Sequence, residues 1–230
     1  MLDILYEDNH CLAVNKPAGL LTQGDATGDI SLVDLARADL KARYHKPGNV
    51  FVGLVHRLDR PVSGVVLLAK TSKAAARLTA QFRDGTVQKT YWAWVEGDCP
   101  ADEGVWSDRL EKDASSNRVA VLPSDSQAGK PATLAFRVLE RGRGTTLLEI
   151  RPRTGRSHQI RVQLASRGLP VVGDRKYGAR SGLRASDGGM RIALHAREIA
   201  FTHPTRGEVR AVIAAVPADW PGATRSRRHS

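Results

Sequence analysis

The 230-residue chain is poor in cysteine, with only Cys11 and Cys99. Neither stands in a C-x-x-C pair, so a small disulfide-stapled fold is excluded and both thiols are expected buried or half-buried in a reducing compartment. Long apolar runs are missing too: no stretch approaches the roughly 20 residues that cross a bilayer. The opening, Met1-Leu2-Asp3-Ile4-Leu5-Tyr6-Glu7-Asp8, carries acids where a signal peptide carries positive charge and a longer apolar run. These absences lead to the expectation of a soluble, cytoplasmic protein with no membrane partner. Phosphate loops are also lacking, with no G-x-x-x-x-G-K-[ST] and no G-x-G-x-x-G after a strand. His10, His45, His56, His158, His195, His203 and His229 are scattered without metal-ligand spacing. Nothing in the chain calls for ATP, a nicotinamide or a metal, and no cofactor is expected.

What the chain does have is positive charge. Its formal net charge is +11 and its pI about 10.2. Basic side chains displace the counterions condensed on nucleic-acid phosphates, so a polyanionic partner is the physical expectation. A hydrophobic fraction of 41% is ordinary for a protein with a real core, and the length allows one large domain or two small ones.

No repeat or low-complexity block interrupts the first two hundred residues. Two short strands are expected at Ile4–Glu7 and Cys11–Asn15, stopped by Lys16-Pro17-Ala18-Gly19. Ser31-Leu32-Val33-Asp34 has capping-box character, with Leu32, Leu35, Ala36 and Leu40 as the apolar stripe of a helix to about Tyr44. Val50–Val55 and Gly64–Ala69 read as buried strands. Ser72 is the expected cap of a helix through Phe82, with Ala75, Leu78 and Phe82 inward and Gly85 as its stop. Val87–Val95 alternates, putting Tyr91, Ala93 and Val95 on one face and Thr90, Trp92 and Trp94 on the other. Further strands are expected at Arg118–Leu122, Ala132–Leu139, Thr145–Arg151, Ile192–Phe201 and Glu208–Ala214, with a helix over Ser157–Ser166 closed by Gly168. Strands outnumber helices and do not alternate with them regularly, which predicts an α+β fold with a mixed, largely antiparallel sheet flanked by helices and loops. The segment from Ala218 to Ser230, ending in basic residues, is expected to be a disordered tail.

Three segments are candidates for chemistry. His56-Arg57-Leu58-Asp59-Arg60-Pro61 is a charged wedge between apolar strands, readable as a functional loop or as a turn capped by Asp59. Thr154-Gly155-Arg156-Ser157-His158-Gln159-Ile160-Arg161 places a glycine turn before a helix. Its backbone donors, with Arg156 and His158, suit an anion, although a solvated basic helix face reads as well. Arg137, Arg141, Arg143, Arg151 and Arg153 make the basic character regional. In Lys89-Thr90-Tyr91-Trp92-Ala93-Trp94, Trp92 and Trp94 read as packing residues. Tyr91 points the other way, where it could stack on a base.

In order and in content, these segments resemble the RluA-type RNA pseudouridine synthases. His56 to Arg60, continuing through Ser63-Gly64-Val65-Val66-Leu67-Leu68-Ala69-Lys70, is similar to the family's catalytic-aspartate motif. Lys89-Thr90-Tyr91 is similar to its tyrosine motif and Thr154 to Val162 to its arginine motif. Ile4 to Asp8 with Val14 to Gly19 resembles the opening. Val172-Gly173-Asp174, Tyr177-Gly178, Leu194-His195-Ala196 and Phe201 to Pro204 resemble the closing segments. The similarity runs from about Ile4 to Pro217. It departs from the family's common residues at Pro61-Val62, Ser157 and Gln163.

The resemblance implies a catalytic domain over residues 1–217, with no N-terminal S4-like RNA-binding domain. It implies isomerisation of specific uridines to pseudouridine in structured ribosomal or transfer RNA, without a cofactor or an obligate protein partner. Asp59 would act on the ribose, either attacking C1′ or removing the 2′ proton. Arg161 would keep Asp59 ionised and aimed, and Tyr91 would support the loosened uracil. Arg57 would fill the gap left by the flipped base, with Arg60, Arg156 and His158 as further RNA contacts. Two other readings use the same residues. An RNA-folding chaperone without turnover suits the charge but leaves Asp59, Tyr91 and Arg161 unexplained. A glycoside hydrolase needs a second acid that does not present itself near Asp59.

Overall fold

The computed structural model of the chain describes residues 2–113, 116–183 and 191–221. It divides into two compact units: Met1–Lys89 with Ala196–Ala218, and Thr90–His195 with Asp219–Ser230.

In the first unit β1 (Ile4–Glu7) pairs antiparallel with β2 (Cys11–Lys16), and β2 pairs antiparallel with β4 (Ser63–Ala69). The short β3 (Gly53–Leu54) also pairs with β4. All seven residues of β4 are buried, so the strand is a continuous apolar run rather than an alternation. Next to it lies β10 (Leu194–Thr202), which pairs antiparallel with β11 (Val209–Ile213). Gly64 has φ +116°, and a Cβ there would sit 2.3 Å from the Ala196 carbonyl oxygen, so only glycine allows this approach.

Helix α1 (Leu32–Arg43) begins as its sequence predicts, with reciprocal Ser31 and Asp34 bonds to each other's backbone N–H. Leu32, Val33, Ala36 and Leu40 are buried, whereas Leu35, expected inward, is 37% exposed. Helix α2 (Ser72–Arg83) is capped by Thr71 rather than Ser72, because Thr71 is the last extended residue and its hydroxyl accepts from the Ala74 N–H. It buries Ala74 and Leu78, leaves Ala75 and Phe82 half-buried, and stops at Gly85 in the left-handed region. The strand expected over Val50–Val55 shrinks to β3, because only Leu68 and Ala69 pair with it, and Phe51 is left 49% exposed.

In the second unit the strand order is β5 (Gln88–Glu96, entering from the first unit), β9 (Thr145–Pro152), β8 (Lys130–Arg141), β6 (Glu103–Asp113) and β7 (Arg118–Val121), with every pairing antiparallel. The eleven-residue β6 is absent from the sequence expectation. Leu110 is its one fully buried residue, so no apolar run announces it. Leu110 packs with Val119, Ala132 and Val162 into a small core. Helix α3 (Gln159–Ala165) starts two residues later than Ser157, because His158 adopts φ 51°, ψ 16° and cannot continue a helix. A short 3₁₀ turn follows at Arg175–Tyr177.

The mixed, mostly antiparallel sheet with three helices is the fold class expected. Residues 222–230 of the expected tail lie outside the described residues. At its start, Trp220 is 6% exposed and Asp219 binds the guanidinium of Arg191. No helix among the described residues is long and apolar enough to cross a membrane.

Candidate active site

Asp59 lies in the first unit on the segment leading into β4, half-buried between buried Leu58 and exposed Arg60. The turn after β2 engages both neighbours. Thr22 Oγ1 donates to the Leu58 carbonyl at 2.7 Å and accepts from the Leu58 N–H at 3.2 Å. The Arg60 carbonyl accepts from the Gly19 N–H at 2.8 Å and from Lys16 Nζ at 3.3 Å. Asp59 closes its own turn by accepting the Val62 N–H on its carbonyl at 3.0 Å.

Lys16 is fully buried, and its ammonium also donates to the carbonyls of Pro17 and Leu20 at 2.9 and 2.8 Å. Burial pushes its pKa down to about 7, opposed by the nearby negative charge of Asp59. His56, which opens the motif, is scaffold. Its Nε2 accepts from the Leu67 N–H at 2.9 Å, its ring stacks on Phe82, and burial followed by the charge of Lys89 pushes its pKa down to about 3.

Of the RNA-contact candidates here, Arg57 is exposed and makes no side-chain bond among the described residues. Arg60 is committed: Nε donates to the Gly19 carbonyl at 2.9 Å and Nη1 pairs with Asp29 at 2.8 Å.

One group of potential metal ligands occurs among the described residues, in the first unit: Asp8, Cys11 and His203, with donor atoms within 4.8 Å of one another. The sequence spacing gave no sign of it, since β11 and its flanks bring His203 back across 195 residues. The protein already uses these atoms. His203 Nδ1 accepts from the Arg206 N–H at 3.1 Å, which puts the ring proton on Nε2 facing Asp8 at 2.6 Å. Burial opposes ionisation of Asp8, but bonds from the His10 and Cys11 N–H groups, Tyr6 and His203 outweigh it and hold the carboxyl at about 2. Burial and the charge of Asp8 push the Cys11 thiol up to about 12, away from the thiolate that a metal needs. The donor set fits a structural clasp rather than a metal centre.

The second unit carries Tyr91 and Arg161. Tyr91 is half-buried on β5, paired with Ile150, and shares its face with fully buried Ala93 and Val95. Trp94 on the other face is 6% exposed, consistent with packing. Arg161 on α3 is 5% exposed; Nε and Nη2 donate to the two oxygens of Asp174 at 2.6 and 2.8 Å. The Tyr177 ring lies 5.0 Å from its guanidinium carbon. Tyr177 in turn accepts the Val119 N–H at 3.0 Å and meets His158 Nδ1 at 2.7 Å. Within this unit the structure therefore joins Arg161 and His158 through Tyr177.

At the turn before α3, Arg156 and His158 are engaged within the protein. Gln159 accepts the Arg156 N–H at 3.1 Å and the Thr154 hydroxyl at 2.8 Å, while Arg156 Nε donates to the Pro131 carbonyl. On the paired strands β8 and β9, Arg137 and Arg151 share one carboxylate, Glu149, at 3.3 and 3.0 Å, so the pair keeps net positive charge.

Sequence reasoning passed over Thr22 and Lys16 as site residues and gave Asp174 and Tyr177 no role. Lys16, Asp174 and Tyr177 had a signal, since all three stand in opening or closing segments matched to the family, whereas Thr22 had none.

Residues 10–166 match the RNA pseudouridylate synthase family. Over 203 residues the chain is 40% identical to ribosomal large subunit pseudouridine synthase C of Vibrio cholerae, covering 87% of this chain and 61% of that protein. Against the protein of the same name from Escherichia coli K12 it is 39% identical over 216 residues, covering 92% and 65%. The chain thus spans less than two thirds of the length of these relatives. Among solved structures it is similar to human RNA pseudouridylate synthase domain containing 4, with TM-score 0.76 and 25% identity, covering 93% of this chain and 88% of that one. It is also similar to human RNA pseudouridylate synthase domain containing 1, with TM-score 0.74 and 28% identity, covering 94% and 84%.

Proposed function

Because the chain belongs to the RluA-type RNA pseudouridine synthase family, we propose that it isomerises specific uridines to pseudouridine in RNA, with Asp59 as the catalytic carboxylate. The observation that carries the reading is the family match over residues 10–166, which includes Asp59, Tyr91 and Arg161. The reaction breaks the bond from C1′ to N1, turns the uracil and rejoins it through C5. C5 gives up its proton as it bonds C1′ and the freed N1 takes one up, so the net composition is unchanged and the chemistry asks for no cofactor.

A carboxylate beside the ribose begins the reaction, by attack on C1′ or by removal of the 2′ proton, and Asp59 suits either role. Tyr91 lies against the loosened uracil and limits the access of water to the sugar intermediate. Arg161, held by Asp174 on two bonds, is the arginine of the proposed site. Arg57, exposed beside Asp59, contacts the RNA where the target nucleotide leaves its stack. Arg60, Arg156 and His158 serve the RNA through the segments they brace. The names of the relatives make large-subunit ribosomal RNA the first substrate to test, with transfer RNA second. In a cell without a nucleus, such a protein works in the cytoplasm, where these RNAs are made.

The test is pseudouridine mapping by mass spectrometry on ribosomal and transfer RNA from a strain lacking the gene, before and after treatment with the purified protein. New pseudouridine at a discrete position in either RNA is the expected result. RNA binding with no new pseudouridine in any fraction would leave a binding protein and overturn the activity.

A further inference from the structure

The turn between β2 and α1 does more than connect them. It is tied to α1, since Leu21 and Thr22 offer their carbonyls to the N–H groups of Leu32 and Val33 at 2.8 and 3.3 Å. From that base it reaches the two residues that flank Asp59 in sequence. Thr22 is 4% exposed, and its one hydroxyl both donates to and accepts from Leu58, the two-bond pattern of a strand pair made by a single side-chain atom. On the other side the Arg60 carbonyl is fixed by Gly19 N–H and Lys16 Nζ, while Arg60 Nε returns a bond to the Gly19 carbonyl at 2.9 Å. Asp59 is left as the residue between two fixed peptide groups.

We propose that Thr22 and Lys16 are positioning residues for Asp59, acting from one turn on the main chain of both its neighbours and so fixing where its carboxylate stands. This rests on the proposed role of Asp59. A hydroxyl is required at position 22, because valine fills the same space but satisfies neither polar group of Leu58. Lys16 adds positive charge close to Asp59, and its ammonium is shared among three carbonyls that only a long cation on β2 reaches. Catalytic groups tolerate little displacement, and an error near 1 Å costs on the order of 100-fold in rate.

The test compares Thr22→Val with Thr22→Ser, sparing Lys16, whose loss endangers folding. The readout is the single-turnover rate constant at saturating enzyme on an RNA that the wild type modifies, which does not depend on how much of the protein is folded. Thr22→Val should slow that step by about 10- to 100-fold while RNA affinity stays within about twofold. Thr22→Ser should return the rate to within about threefold of wild type, because the hydroxyl is restored. Amide hydrogen exchange in the free protein gives an activity-independent reading, in which the Leu58 N–H exchanges faster in Thr22→Val and not in Thr22→Ser. A single-turnover rate unchanged in Thr22→Val, or an unchanged Leu58 exchange, overturns the proposal. A wild type that makes no pseudouridine overturns the assigned reaction instead, and the exchange comparison still judges the clamp.

Discussion

Beside Asp59 a hydroxyl, an N–H and an ammonium act on the neighbours' main chain, whereas at Arg161 a carboxylate and an aromatic ring act on the side chain itself. Burial underlies both. Arg161 is 5% exposed, and a buried guanidinium must be met by a counterion, which Asp174 provides on two bonds. Leu58, next to the half-buried Asp59, is 6% exposed, so its peptide groups need partners as well. One region thus fixes the main chain on either side of its carboxylate, and the other holds a guanidinium by its own atoms.

If that contrast is right, loss of the two charged groups has different consequences. Asp59→Asn should abolish isomerisation, lowering the rate by about 10³-fold or more while leaving fold and RNA affinity intact. Residual pseudouridine measured by mass spectrometry at a substantial fraction of wild type would end the assignment.

Asp174→Asn should act first on stability. Removing the charge that answers a buried arginine costs about 3–5 kcal/mol, visible as a lower denaturant midpoint. A variant as stable as wild type would show that the ion pair is not what locks α3.

The first unit also holds a carboxylate with hydrogen-bond donors at Asp8, which gives a pH test. Its pKa lies at about 2 against an ordinary 3.8, so its contribution is complete above about pH 4 and disappears as the pH falls towards 2. After allowance for solvent screening that contribution is about 1–2 kcal/mol. Asp8→Asn should be less stable than wild type at neutral pH and draw level with it near pH 2. Equal loss at every pH would show that the effect is packing.

The smallest effect is expected at Arg57, the exposed arginine beside Asp59. Arg57→Ala should weaken RNA binding by a few-fold and reduce the slope of log affinity against log salt by about 1. An unchanged slope, measured by titration at several salt concentrations, would remove Arg57 from the RNA contact.

Much of this was legible in the chain. The Ser31–Asp34 capping box, the apolar run of β4 and the alternation of β5 are local patterns, and local patterns survive without a partner. β6 was not legible, because a strand carrying Glu103, Asp108, Arg109, Glu111, Lys112 and Asp113 is held by its neighbours' ladders and not by its own side chains. The start of α3 was misplaced because the left-handed turn at His158 is fixed by contacts such as Tyr177, which lies 19 residues away.

By itself the sequence determined the fold class, the family and the carboxylate on which the proposed reaction depends, since these rest on residue types in a fixed order. Only the tertiary structure decided what holds those residues: Thr22 on Leu58 across 36 residues, Asp174 on Arg161, His203 on Asp8 across 195. A hydrogen bond between distant residues has no period and no spacing. It depends on where folded elements bring donor and acceptor together, and that position is a property of the packed chain.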